Sequence, residues 1–101
     1  MIVQVVRFKS GLPYEEVVKK CEERAPQYRA LKGLAQKYYL KFGGTNEYGA
    51  VYLWESEAAM KQFQESELRR TIPSTYQVQG APDIQTAQLI MPLRAAKETA
   101  S

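Results

Sequence analysis

The residues best equipped for chemistry fall in one stretch. Tyr38, Tyr39, Phe42, Tyr48, Tyr52 and Trp54 lie within seventeen positions, and Lys37 and Lys41 are the cations of the same segment. Rings with a few polar handles are the usual wall of a small-molecule pocket. Tyr and Trp also bring O–H and N–H donors on flat faces that suit an aromatic ligand. A lysine buried beside them would stabilise a phenolate or enolate, or lose basicity itself. The competing reading is a lysine that snorkels from a strand edge, among rings that only fill a core or a subunit interface. Arg7 has the same two readings.

Several chemistries are removed by composition. The chain has no histidine, one cysteine and one aspartate in 101 residues. Ser-His-Asp and Cys-His nucleophilic machinery is therefore absent, as is imidazole ligation of haem or zinc. No carboxylate spacing resembles a metal site, so no metal is expected. Cys21 has no partner for an intrachain disulfide, which points to a reducing compartment. It reads as a small buried thiol. Asn46 beside Gly43-Gly44 is ordinary turn chemistry, and no glycine pattern has phosphate-loop spacing.

Net charge is +3, with Lys19-Lys20 flanked by Glu15-Glu16 and Glu22-Glu23, and Arg69-Arg70 preceded by Glu65 and Glu67. A nucleic-acid binder clusters its positive charge, and this chain does not. Neither a secretory signal nor a membrane-spanning apolar run is visible, so a cytoplasmic protein that binds no membrane is expected.

The elements that must hold these residues follow from patterning. Ile2 to Phe8 reads as a strand apolar on both faces, with Ile2, Val6 and Phe8 on one and Val3 and Val5 on the other. A strand of that kind is covered on both sides. Pro13, Glu15 and Glu16 start a helix whose apolar stripe is Val17, Val18, Cys21 and Ala25, and Pro26 ends or kinks it. Leu34–Phe42 and Tyr48–Glu55 form a hairpin, Ser56 caps a second helix with Ala59, Met60 and Phe63 inward, and Ile84–Met91 is the last strand. The order is β-α-β-β-α-β, a ferredoxin-like α+β domain over residues 1–92 with one four-stranded antiparallel sheet, and residues 93–101 read as a loose tail.

Hairpin register decides which rings share a face. Pairing Phe42 with Gly49 puts Lys37, Tyr39, Tyr52 and Trp54 on one face and Tyr38, Leu40, Val51 and Leu53 on the other, with the aliphatic set under the helices. Two helices roof only one side of the sheet. The last strand also carries Leu89 and Met91 on one side and Ile84 and Ile90 on the other. The uncovered face would exceed the few hundred Å² that monomers usually expose. A second copy is the simplest cover, so a homodimer is expected.

The run Gly33-Leu34, Lys37-Tyr38-Tyr39-Leu40 and Gly49-Ala50-Val51-Tyr52-Leu53-Trp54-Glu55-Ser56, followed by an Ala-containing helix, resembles the YdhR-like monooxygenases. These are relatives of the antibiotic-biosynthesis monooxygenases in the dimeric α/β-barrel superfamily. The resemblance is specific from Gly33 to Phe63. It implies a homodimeric barrel with a pocket in each subunit, and oxygenation of a phenol, anthrone or quinol by O₂ without cofactor. Such chemistry needs water excluded, the ring oriented and the anion stabilised. Carried over, Lys37 and Trp54 are the catalytic candidates, and Arg7, Tyr38, Tyr39 and Tyr52 the substrate-binding ones, with Lys37 or Arg7 beside the anion. The histidine-dependent haem-degrading and chlorite-converting branches are excluded. Two alternatives stay open: a non-catalytic binding or stress-response module holding a small hydrophobic molecule, and a cofactor-free isomerase using Lys37 or Glu55.

Overall fold

A computed structural model describes residues 1–94. Its elements are β1 (Ile2–Ser10), α1 (Tyr14–Arg29), β2 (Leu34–Lys41), β3 (Glu47–Trp54), α2 (Glu57–Gln64), the single-turn α3 (Glu67–Arg70) and α4 (Ile72–Thr75), and β4 (Val78–Gln88). The strands form one antiparallel sheet in the order β2-β3-β1-β4. This is the ferredoxin-like α+β fold. From residue 95 on, the expected tail lies outside the described residues.

Local chemistry accounts for most boundaries. Acidic Glu15 and Glu16 occupy the first turn of α1, where the helix dipole favours negative charge. Ser56 caps α2, its hydroxyl accepting from the Ala59 amide at 3.1 Å. Asn46 takes φ 60° in the β2–β3 turn, a left-handed conformation that asparagine tolerates well. Gly49 is required by closeness: a Cβ there would fall 1.9 Å from the Val6 carbonyl oxygen and 3.0 Å from the Phe42 ring. Only glycine admits such an approach.

Two expectations are corrected. Of the two outcomes expected at Pro26, an end or a kink, the end does not occur: α1 runs three residues further to Arg29. A proline costs a helix one backbone hydrogen bond and a steric clash. Burial of the Tyr28 side chain, 5% exposed in the main aromatic cluster, offsets that cost. The last strand begins at Val78, six residues before Ile84, and stops at Gln88, so Leu89, Ile90 and Met91 lie beyond it. Its first part is hidden in the sequence by Gly80 and Pro82. Both fall in an irregularity of the β1–β4 pairing between Arg7 and Lys9, with Gly80 at φ 72°. An irregular edge strand is one of the few places where a sheet accepts proline.

Register is also corrected. Leu40 pairs with Gly49 and Lys37 with Tyr52, and the Phe42 amide donates to the Glu47 carbonyl. Phe42 is therefore opposite Glu47, two residues from the expected pairing. A shift by two preserves the faces, so Lys37, Tyr39, Tyr52 and Trp54 do share a side. That side, not the aliphatic one, lies under the helices. The core combines Tyr28, Tyr52, Trp54, Met60 and Phe63, and a second cluster joins Val17, Tyr48 and Tyr76. Bulky flat rings span the gap between sheet and helices, while the β-branched residues Val3, Val5 and Val51 sit on the open side with Leu53.

Candidate functional site

Between the helix-facing side of the sheet and α1 lies a cavity of about 550 Å³. β1 contributes Val6 and Phe8, α1 contributes Val17, Cys21 and Tyr28, and the hairpin contributes Lys37, Tyr39 and Tyr52. Near the β4 end, the Ser10 hydroxyl donates to the Tyr76 carbonyl at 2.5 Å and accepts from the Leu12 amide at 3.0 Å. Ser10 is wholly buried. This links the end of β1 to the α4–β4 connection and fixes Tyr76, whose hydroxyl reaches the Cys21 sulfur at 3.5 Å. Arg24 ties α1 to the α3–α4 turns, donating to the Thr71 and Thr75 hydroxyls at 3.0 Å each and to the Leu68 carbonyl at 2.6 Å.

Lys37 is the polar centre of the cavity. Its ammonium nitrogen lies 3.4 Å from the Tyr28 ring centroid, 4.5 Å from Tyr39 and 4.6 Å from Tyr52. Each ring face attracts a cation. No carboxylate forms an ion pair with Lys37 among the described residues. Burial removes the water that would stabilise the charge. The pKa of Lys37 is lowered to about 7, burial being the leading cause; Cys21 opposes the shift and Arg24 adds to it. A lysine in that state exchanges its proton at neutral pH. Burial also holds the phenols of Tyr39, pushed up to about 12, and Tyr52 in their neutral, hydrogen-bond-donating form.

The sequence-predicted residues therefore separate into groups. Lys37, Tyr39 and Tyr52 meet at the cavity. Trp54 does not line it: it is fully buried, stacked on Tyr52 at 5.6 Å and packed on Phe63 at 5.1 Å, with its indole N–H donating to Gln4 Oε1 at 3.2 Å. Arg7 and Tyr38 are on the other face of the sheet. Arg7 is ion-paired to Glu47 and lies 4.2 Å over the Phe42 ring, and Tyr38 is 54% exposed. Alternation along a strand forbids Tyr38 from sharing the side of Lys37 and Tyr39. Tyr28 was missed. Its spacing carries the signal, since Val17, Cys21, Arg24 and Tyr28 recur every three or four residues on one helix face, and reading Pro26 as an end or a kink kept Tyr28 off the apolar stripe. Its hydroxyl is buried with no hydrogen-bond partner.

No group of three or more potential metal ligands occurs among the described residues. No helix there is long and apolar enough to cross a membrane.

With this geometry in view, solved structures give the informative comparison. The chain superimposes on NE2512, a protein of unknown function from Nitrosomonas europaea, with TM-score 0.76 and 18% identity over 94% of both chains. It superimposes on SnoaB, a cofactor-independent oxygenase from Streptomyces nogalater, with TM-score 0.74 and 12% identity over 93% of this chain and 97% of that one. An antibiotic biosynthesis monooxygenase gives TM-score 0.71 at 8% identity, covering 90% and 100%. A dimeric ferredoxin-like protein of unknown function from Thermobifida fusca gives 0.69 at 13%, covering 87% and 90%. The chain has the fold of the antibiotic biosynthesis monooxygenases. At these identities the likeness concerns the fold alone. No protein-family model matches the chain, and no curated protein does.

Proposed function

We propose that this chain is a cofactor-independent monooxygenase of a small aromatic, quinol-type substrate, working as a homodimer with one apolar cavity per subunit. The observation that carries the reading is Lys37: a lysine of pKa about 7 without a carboxylate partner, enclosed by three tyrosine rings in a cavity of about 550 Å³. Fold likeness to a cofactor-independent oxygenase supports it.

The neutral Lys37 amine takes the proton of an acidic phenol or anthrone, and the ammonium so formed stays beside the anion. The anion is the reductant. It gives one electron to O₂, the two radicals recombine at carbon, and the peroxide loses water to leave a carbonyl. One substrate CH₂ and one O₂ thus become C=O and H₂O, with no outside electron donor. Tyr28, Tyr39 and Tyr52 hold the ring and exclude water, and their hydroxyls donate to the substrate oxygen.

Oxygen uptake with a panel of anthrones and hydroquinones tests the reading. Uptake well above the uncatalysed rate is expected. Thermal stabilisation by these compounds without uptake would instead show a binding module, and solvent deuterium entering the substrate without uptake an isomerase.

The homodimer is supported by the open sheet face, where Val3, Val5, Val51 and Leu53 meet the half-exposed Tyr38. β4 adds the polar Asp83 and Gln85 and the small Ala87 to that face, so the apolar patch is narrower than the sequence suggested and centred on β1 and β3. A second copy packing sheet to sheet covers it. Sedimentation at micromolar concentration should give twice the 11.5 kDa chain mass, and Val5→Lys should shift the protein to single chains. A wild-type single chain would refute the dimer.

A further inference from the structure

The same cavity brings together two groups that also suit a covalent step, one the oxygenase reading does not use. One is an amine, Lys37, with no carboxylate to hold it as a fixed ammonium. The other is a buried hydroxyl, Tyr28, which closes no direct hydrogen bond and has the Tyr52 phenol as its polar neighbour. Tyr28 is 5% exposed, its ring is the one nearest the lysine nitrogen at 3.4 Å, and both residues line the cavity. A buried hydroxyl that closes no direct hydrogen bond lacks the stabilisation such a bond supplies. A ligand oxygen reaching it would recover that, and it would lie next to the amine.

We propose that Lys37 captures carbonyl compounds covalently, condensing with a small aromatic aldehyde or ketone in the cavity to form an imine, with the Tyr28 hydroxyl serving the departing water. The nitrogen lone pair adds to the carbonyl carbon, and one N–H proton moves to the oxygen, giving a carbinolamine. The C–O bond then breaks as the C=N bond forms. The second N–H proton leaves nitrogen, and the oxygen departs with both hydrogens as water. The Tyr28 hydroxyl donates to the carbinolamine oxygen as it leaves and recovers its proton from the nitrogen. No oxidant or reductant enters.

Burial favours the step twice. It keeps a substantial fraction of the amine neutral, and therefore nucleophilic, near pH 7. It also limits the water that would hydrolyse the imine. The charged and titratable neighbours are Cys21 and Arg24 with Tyr28 on α1, Tyr39 on β2 and Tyr52 on β3. None of these is a carboxylate that would hold the ammonium.

The inference is independent of oxygen chemistry, and its test excludes oxygen. The full chain is incubated at pH 7 under nitrogen with 2-hydroxy-1-naphthaldehyde and sodium cyanoborohydride, which reduces an imine to a stable amine, and adducts are located by peptide mass mapping. Lys37 should label at least about tenfold faster than exposed Lys19 and Lys32 in the same molecules. Lys37→Arg should lose that fast adduct while the surface lysines label as before. Tyr28→Phe should slow Lys37 labelling by about tenfold, with a thermal melt no lower than that of the wild type. Labelling of Lys37 no faster than the surface lysines in the wild-type protein would overturn the proposal, whatever the variants do. Fast labelling unaffected by Tyr28→Phe would remove the hydroxyl from the step.

Discussion

Replacing Lys37 with methionine should reduce oxygen uptake by about 10²–10⁴, the usual contribution of a positioned base, while making the protein more stable. Methionine keeps the length and fills the space among Tyr28, Tyr39 and Tyr52, but removes the charge. Folded Lys37 gives up its proton near pH 7, whereas a lysine in the unfolded chain keeps it to about 10.5. Between those values the unfolded state binds more protons, so wild-type stability rises with pH. Below pH 7 the cost of burying the ammonium is present in full. The gap between the two pKa values bounds that cost at about 5 kcal/mol, and the ring contacts offset part of it. Urea melts should therefore show Lys37→Met more stable than wild type at pH 6, with the advantage shrinking towards pH 9. Wild-type uptake should climb through pH 7 and level off as the amine becomes neutral. Activity that survives in Lys37→Met, or falls with rising pH, would remove Lys37 as the base.

The second large effect concerns Trp54, and its direction is the reverse. Trp54→Ala should cost about 3–5 kcal/mol of stability, because the indole is wholly enclosed, stacked on Tyr52 and packed at a tilt against Phe63. For a domain with about 5–15 kcal/mol in total, such a loss brings unfolding within reach of ordinary temperatures. Trp54→Phe keeps most of the ring packing and leaves the Gln4 acceptor without its 3.2 Å partner, at about 1–3 kcal/mol. Its folded fraction should retain oxygen uptake within about threefold of wild type, since the group lost does not touch the reacting atoms. Uptake abolished in a well-folded Trp54→Phe protein would return Trp54 to the chemistry.

Together the two substitutions separate a residue that spends stability on function from one that supplies stability. Lys37 and Trp54 lie on the same sheet face, yet only Lys37 reaches the cavity. α2 covers the Trp54 end of β3 with Met60 and Phe63, whereas the space beside Lys37 is roofed by α1 and left partly open.

Strand and helix order, the Ser56 cap, the inward Met60 and Phe63 and the shared face of Lys37, Tyr39 and Tyr52 were all legible in the amino-acid sequence, because they depend on periodicity and local hydrogen bonding. Four things were decided only by the tertiary structure. Which face of the sheet the helices cover put the rings, rather than the aliphatic residues, inside. Continuation of α1 through Pro26 brought Tyr28 to Lys37. The edge irregularity at Gly80 and Pro82 moved β4 and took Leu89 to Met91 out of the sheet. Helix coverage of the ring face left Arg7 and Tyr38, already on the opposite face by alternation, outside the cavity. Each turns on packing between segments distant in the chain, where a few kcal/mol of burial outweigh a local preference such as that of proline for a helix end, and residue order alone does not contain that balance.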